Sequence, residues 1–157
     1  MARFHIPIEE PNEIIPRLAK QERHWKKGRS AFELSTAWVS ANGIPSSVTN
    51  VLDQVPEWHG AELVEGIFEH ETELPGKGRP SQTDLLAIVA LNDGHAILGV
   101  EGKVDEPFGP LIGDWLADAK DGNRKDRLAA LCATLRTDPQ AVGGLFYQLF
   151  HRTCASI

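Results

Sequence analysis

A chain of 157 residues, 41% apolar and 24% charged, has the size and composition of one globular domain with a modest core. Its 16 Lys and Arg against 22 Asp and Glu give a net charge of −6, which argues against non-specific adhesion to nucleic acid. Cleavage of nucleic acid is not excluded, because a divalent cation can supply positive charge where a phosphate sits.

No apolar run approaches the roughly 20 residues that span a bilayer, and no signal-peptide pattern opens the chain. Cys132 and Cys154 lack metal-ligand spacing and read as reduced core residues. The expectation is a cytoplasmic protein with no membrane partner.

Residues 1–29 read as an N-terminal extension, with Pro7, Pro11 and Pro16 interrupting any early helix. Residues 1–30 hold seven basic and four acidic side chains, leaving nine basic against eighteen acidic in 31–157. The basic cluster is Arg17, Lys20, Arg23, Lys26, Lys27 and Arg29, with His24 and Trp25 inside it. Such a segment could follow a phosphate backbone with Trp25 as a stacking surface. We read it instead as a solvated arm against an acidic body.

Residues 30–157 read as a single α/β domain. A helix starts with Ser30 as N-cap and stops at Asn42-Gly43, with Leu34, Ala37, Trp38 and Ala41 on its apolar side. Pro45-Ser46-Ser47 opens a short helix carrying Val48, Val51, Leu52 and Val55, ended by Pro56. From Glu62 to Leu74 the period becomes two, with Val64, Gly66, Phe68, His70 and Leu74 on one face and glutamates on the other. Residues 76–80 form a loop. Two apolar strands follow, 84–91 and 95–104, joined by a tight Asp93-Gly94 turn and expected to be covered on both faces.

The remainder reads as helical. One short helix runs from Pro110 through Trp115 and is broken at Asp121-Gly122. Another starts at Asn123 with Leu128, Leu131, Cys132 and Leu135 on one side. A last helix is predicted from Asp138-Pro139 to Ile157, burying Val142, Leu145, Phe146 and Leu149. Trp38, Trp58 and Trp115 are read as core anchors, and His70 as a hydrogen-bonded core histidine.

With Asp93-Gly94 as a two-residue turn, Asn92 pairs with His95, Asp84 lies opposite Lys103, and Leu86 lies opposite Glu101. Paired residues point to one side of a sheet, so the three charges converge at the open end of the hairpin. Asp84 and Glu101, with the Gly102 carbonyl, would suit a hard divalent cation, Mg²⁺ or Mn²⁺. That cation would polarise a phosphoryl oxygen and activate a water, while Lys103 orients the water and stabilises developing charge. Gly102 would leave the backbone uncrowded for a ligand. The plainer reading is a cross-strand salt bridge between Asp84 and Lys103 with Glu101 solvated.

An aspartate, a gap and then Glu-X-Lys on adjacent strands resembles the PD-(D/E)XK, or restriction-endonuclease-like, nuclease superfamily. The order of a helix at 45–55, strands at 62–74, 84–91 and 95–104, and later helices is similar to its usual topology. Residues 78–84, 100–109 and 147–152 also resemble an uncharacterised bacterial protein family, over a span of 20–157. The chain departs from the superfamily pattern in Thr83, which replaces the proline of the motif's name. The closing strand after the helix is also absent, so the sequence reads either as a shortened domain or as one whose C-terminal part is missing. An open sheet edge would then invite a homodimer. Glu65 and Glu69 are the nearest candidates for a further metal ligand.

The resemblance implies a metal-dependent phosphodiesterase acting on nucleic acid, with Asp84, Glu101 and Lys103 catalytic and Asp84, Glu101 and Gly102 on the metal. Arg79 and Gln82 before Asp84, and Gln148, His151 and Arg152 on one flank of the last helix, would contact substrate. The alternatives are a catalytically inactive module of the same fold used for binding or assembly, and a metal enzyme acting on a small phosphate ester.

Overall fold

The computed structural model describes residues 4–5, 8–18, 21–119 and 122–157. Pro7, Lys20 and Asp121 lie outside them, as does the side chain of Arg23. The chain is α/β, with an open three-stranded antiparallel sheet in the order β1-β2-β3 and helices beside it. The strands are β1 (Glu62–Thr72), β2 (Ser81–Leu91) and β3 (Gly94–Val100). The helices are α1 (Gln21–His24), α2 (Ser30–Ala41), α3 (Ser46–Leu52), α4 (Ile112–Ala117), α5 (Asn123–Leu135) and α6 (Tyr147–Ala155). Two compact units divide the chain: Met1–His70 with Asp84–Asp105, and Glu71–Thr83 with Glu106–Ile157.

In the first unit, Leu85, Ala87 and Val89 alternate along β2 and are wholly buried, as residues on one face of a strand should be. They meet Leu63 and Phe68 of β1 and Trp38 and Val39 of α2. The segment read as an extension supplies Phe4, Ile8, Ile14 and Leu18 to the same core. Phe4 bridges to Gly66 on β1, and a Cβ at position 66 would come within 2.7 Å of its ring. That close approach explains the glycine in an otherwise apolar strand.

α2 ends at Asn42, which adopts the left-handed conformation of a helix stop (φ 45°, ψ 40°). Its buried stripe is Ser35, Trp38 and Val39, however, and Ala37 and Ala41 are exposed. Ser35 survives there because its hydroxyl donates to the Ala31 carbonyl one turn back, at 2.8 Å. α3 buries no residue, and Val51 and Val55 face solvent. β1 breaks its alternation: Leu63, Gly66 and Phe68 are buried, Val64 is exposed, and Glu69 has φ +53°.

The hairpin register differs from the sequence expectation. Leu91 pairs with Gly94 and Leu85 with Val100, so the turn is Asn92-Asp93. A type I′ turn at Asp93-Gly94 needs positive φ at both residues. Only Gly94 has it, at 142°, so the turn sits one residue earlier. β3 therefore ends at Val100, before Glu101 and Lys103, and forms the sheet edge with Ile97 exposed rather than a doubly covered strand.

In the second unit, Ile112 of α4, Leu128, Leu131 and Cys132 of α5, and Phe150 and Cys154 of α6 pack with Leu74 and Val142. The last helix does not begin at Asp138. Residues 138–146 are irregular, because Gly143-Gly144 resist helix and the backbone there bonds elsewhere. Ile112 N–H donates to the Leu145 carbonyl, Gly113 N–H to Gly143, and Tyr147 N–H to Pro110. Leu145, Phe146 and Leu149 are consequently exposed, and α6 buries Phe150, Cys154 and Ala155 instead. Among the described residues no helix is long and apolar enough to cross a membrane.

Candidate functional site

Asp84 follows Thr83 near the start of β2, while Glu101-Gly102-Lys103 follows β3, so the hairpin brings both to its open end. The contact that joins them is a backbone one. Asp84 Oδ2 accepts the Gly102 N–H at 2.8 Å. Lys103 Nζ donates to Glu101 Oε1, also at 2.8 Å, so the lysine pairs with Glu101 rather than across the hairpin with Asp84. Glu101 is not solvated: its side chain is 10% exposed and that of Lys103 is 22% exposed.

Gly102 is not open space. A Cβ there would touch Asp84 Oδ2, Leu34 Cβ and the Ser30 carbonyl, all at 3.5 Å, so the start of α2 backs the site. Nearby, Arg29 pairs with Asp105 at 3.2 Å in an exposed bridge. Of the further candidate ligands, Glu65 sits 2.9 Å from His5 Nδ1. Among the described residues no three His, Cys, Asp or Glu side chains cluster as a metal site would.

The remaining predicted residues belong to the second unit. Ser81, 2% exposed, is their hub. Arg152 Nη1 donates to Ser81 Oγ at 2.6 Å, and His151 Nδ1 lies 3.1 Å from the same oxygen. Arg152 can only donate, so it fills one lone pair of Ser81 Oγ, and the imidazole tautomer sets the direction of the His151 contact. Gln82 and Gln148 are half-buried on β2 and α6.

His151 and Arg79 line a cavity of about 390 Å³ within this unit. Sequence reasoning missed its other basic residues: Lys77, Arg124 and Arg127. Arg127 is 5% exposed and clamps the 74–79 loop. Its Nη1 donates to the Leu74 and Gly76 carbonyls at 3.1 and 3.2 Å, and its Nη2 to Arg79 at 2.8 Å. A signal existed, since Arg127 falls one turn before Leu131 on the apolar side of α5. Trp115, half-buried, packs against the core of this unit and also forms a wall of the cavity. It stacks on Tyr147 at 3.9 Å and 14°, with the Arg124 guanidinium 5.4 Å from its ring.

A family model described as a domain of unknown function, DUF6946, matches residues 7–157. The chain belongs to this family. No curated protein and no solved structure matches it. The DUF6946 match covers both units, so the hairpin end and the basic cavity are both parts of the family domain.

Proposed function

We propose that this DUF6946 chain is a metal-dependent phosphodiesterase acting on nucleic acid, with a restriction-endonuclease-like fold. The observation that carries the reading is the bond from Gly102 N–H to Asp84, which holds an acid against a Glu-Gly-Lys segment whose own acid and lysine are largely buried. Withdrawing a carboxylate and an ammonium from water costs more than their pairing returns unless further interactions compensate. A reacting site is one reason to keep such a pair. The resemblance of Asp84 and Glu101-Gly102-Lys103 to the PD-(D/E)XK pattern supports the same reading.

Two carboxylates and the Gly102 carbonyl make an all-oxygen donor set. That fits Mg²⁺ or Mn²⁺, because the smaller cation is commonly held by one or two carboxylates and keeps several waters. When bound, the cation would polarise a phosphoryl oxygen and lower the pKa of a water. Gly102 N–H fixes one carboxylate oxygen of Asp84 in place, and Lys103 holds Glu101 while offering an ammonium to charge developing on the phosphate. Two free, buried cysteines support a cytoplasmic location, and the β3 edge supports pairing with a second copy.

The second reading is an inactive module that binds or assembles. What favours it is that Lys103 is already engaged by Glu101 and that no third ligating side chain joins the acids among the described residues. Plasmid and single-stranded DNA incubated with Mg²⁺ or Mn²⁺ separate the two. The phosphodiesterase should nick, and Lys103→Ala should abolish nicking while circular dichroism stays native. Absence of nicking, together with no Asp84- and Glu101-dependent metal binding by calorimetry, would leave the module.

A further inference from the structure

Arg127 is a buried cation that has no carboxylate partner among the described residues. Its guanidinium donates three hydrogen bonds to backbone carbonyls, and its buried Nε has no hydrogen-bond partner among the described residues. Carbonyl oxygens satisfy donors but do not neutralise a charge, so burying this guanidinium calls for an anion nearby.

The cavity beside it is the place where one could sit. Lys77, Arg79, Arg124 and His151 line it together with Arg127, and among the described residues no acidic side chain does. This is notable in a chain with net charge −6, where a wall chosen without regard to sign would carry acids. Gly78 adopts φ +147° against the Arg127 guanidinium, so no side chain screens that group where the loop passes it. The volume of about 390 Å³ falls within the roughly 300–1,000 Å³ of small-molecule sites.

Beside the cations the wall holds two aromatic rings, with Pro80 and Asn123. Trp115 and Tyr147 are stacked on one another, Arg124 Nη1 donates to the Trp115 carbonyl, and Tyr147 also packs on His151 at 4.9 Å. Cations set beside stacked rings, with Arg124 lying over Trp115, suit a ligand with a strongly anionic head and a carbon skeleton. Guanidinium groups are matched to phosphate oxygens by geometry as well as charge.

We propose that this cavity binds a small organic phosphate, its phosphate among Arg79, Arg124 and Arg127 and its carbon skeleton against Trp115 and Tyr147. The inference stands apart from the phosphodiesterase reading, since it uses none of Asp84, Glu101 or Lys103.

The test is calorimetry on the full chain in EDTA, which silences any divalent metal site. The probes are AMP, adenosine and inorganic phosphate. AMP should bind and adenosine should not. Lys77→Ala and Arg124→Ala, at the cavity wall, should each weaken AMP at least fivefold, whereas Asp84→Asn should leave it unchanged. Trp115→Leu should weaken AMP more than inorganic phosphate. Failure of both AMP and phosphate to bind the wild-type chain overturns the proposal, as does unchanged AMP affinity in both basic-residue variants. Equal affinity for phosphate and AMP overturns the part assigned to the rings. Because Arg127 also holds the 74–79 loop, Arg127→Met is used only if its circular dichroism and melting remain native.

Discussion

Asp84 Oδ2 accepts the Gly102 backbone N–H at 2.8 Å, which ties the last turn of the hairpin's open end to the first acid of the motif. A carboxylate accepting from a partly buried N–H is a charge-assisted bond, and losing it leaves the donor without its partner. Asp84→Ala should therefore lower stability by about 1–3 kcal/mol in urea denaturation. Asp84→Asn keeps an acceptor oxygen and should cost less than half of that. Both should abolish Mg²⁺-dependent nicking, so the pair separates a structural role from a reacting one.

Glu101 and Lys103 should prove coupled. Their side chains are 10% and 22% exposed, so removing either leaves a poorly hydrated charge. Lys103→Met alone should destabilise by about 2 kcal/mol or more, and the double variant Glu101→Gln/Lys103→Met should lose less than the sum of the single ones. A double-mutant cycle in urea measures this. Additive losses would mean that the 2.8 Å contact contributes nothing beyond exposed-pair strength.

The charged cluster was legible in the sequence because its acids and lysine sit at the ends of two apolar runs that a two-residue turn must pair. The register was not, since a turn at Asp93-Gly94 required positive φ at Asp93 as well as Gly94, and Asp93 does not adopt it. The three strands, and the helices at 30–41 and 123–135, followed from periodicity and stop signals. The last helix did not, because Val142, Leu145 and Leu149 are helically spaced while Gly143-Gly144 and backbone bonds to 110–113 hold that stretch irregular. The cavity was hidden for a different reason: Lys77, Arg79, Arg124 and Arg127 come from a loop and a helix far apart in the chain. Only packing in the second unit brings them together.

Gly66 is a steric requirement. Its built Cβ would lie 2.7 and 2.8 Å from two carbons of the buried Phe4 ring, too near for either to stay in place. Gly66→Ala should cost about 1–3 kcal/mol, as overpacking in a filled core does. Phe4→Leu should destabilise alone, yet relieve part of the Gly66→Ala penalty when combined with it. Denaturation midpoints of the four chains check the sign of that interaction.

Cys132 should resist both thiol reagents and ionisation. Burial pushes its thiol pKa up, with the Asp138 charge adding in the same direction. A folded pKa above the unfolded one gives stability that is full below the unfolded pKa and lost as pH rises through the folded one. The stability advantage of the wild-type chain over Cys132→Ala should thus be constant near pH 7 and shrink above about pH 8.5. Urea midpoints at several pH values follow it, and native Cys132 should react with Ellman's reagent far more slowly than the unfolded chain.

Arg127 should not be replaceable by lysine. One planar guanidinium reaches the carbonyls of Leu74, Gly76 and Arg79 at once, whereas an ammonium has a single point of attachment. Arg127→Lys keeps the charge but would leave carbonyls of the 74–79 loop unsatisfied, at about 1–3 kcal/mol. The loop carries Lys77, a trypsin site followed by Gly78, whereas the Arg79-Pro80 bond resists trypsin, so the consequence is read at Lys77. Limited trypsin digestion should cut after Lys77 at least several times faster in Arg127→Lys than in the wild-type chain. Equal cutting rates would show that the loop is held by something other than this side chain.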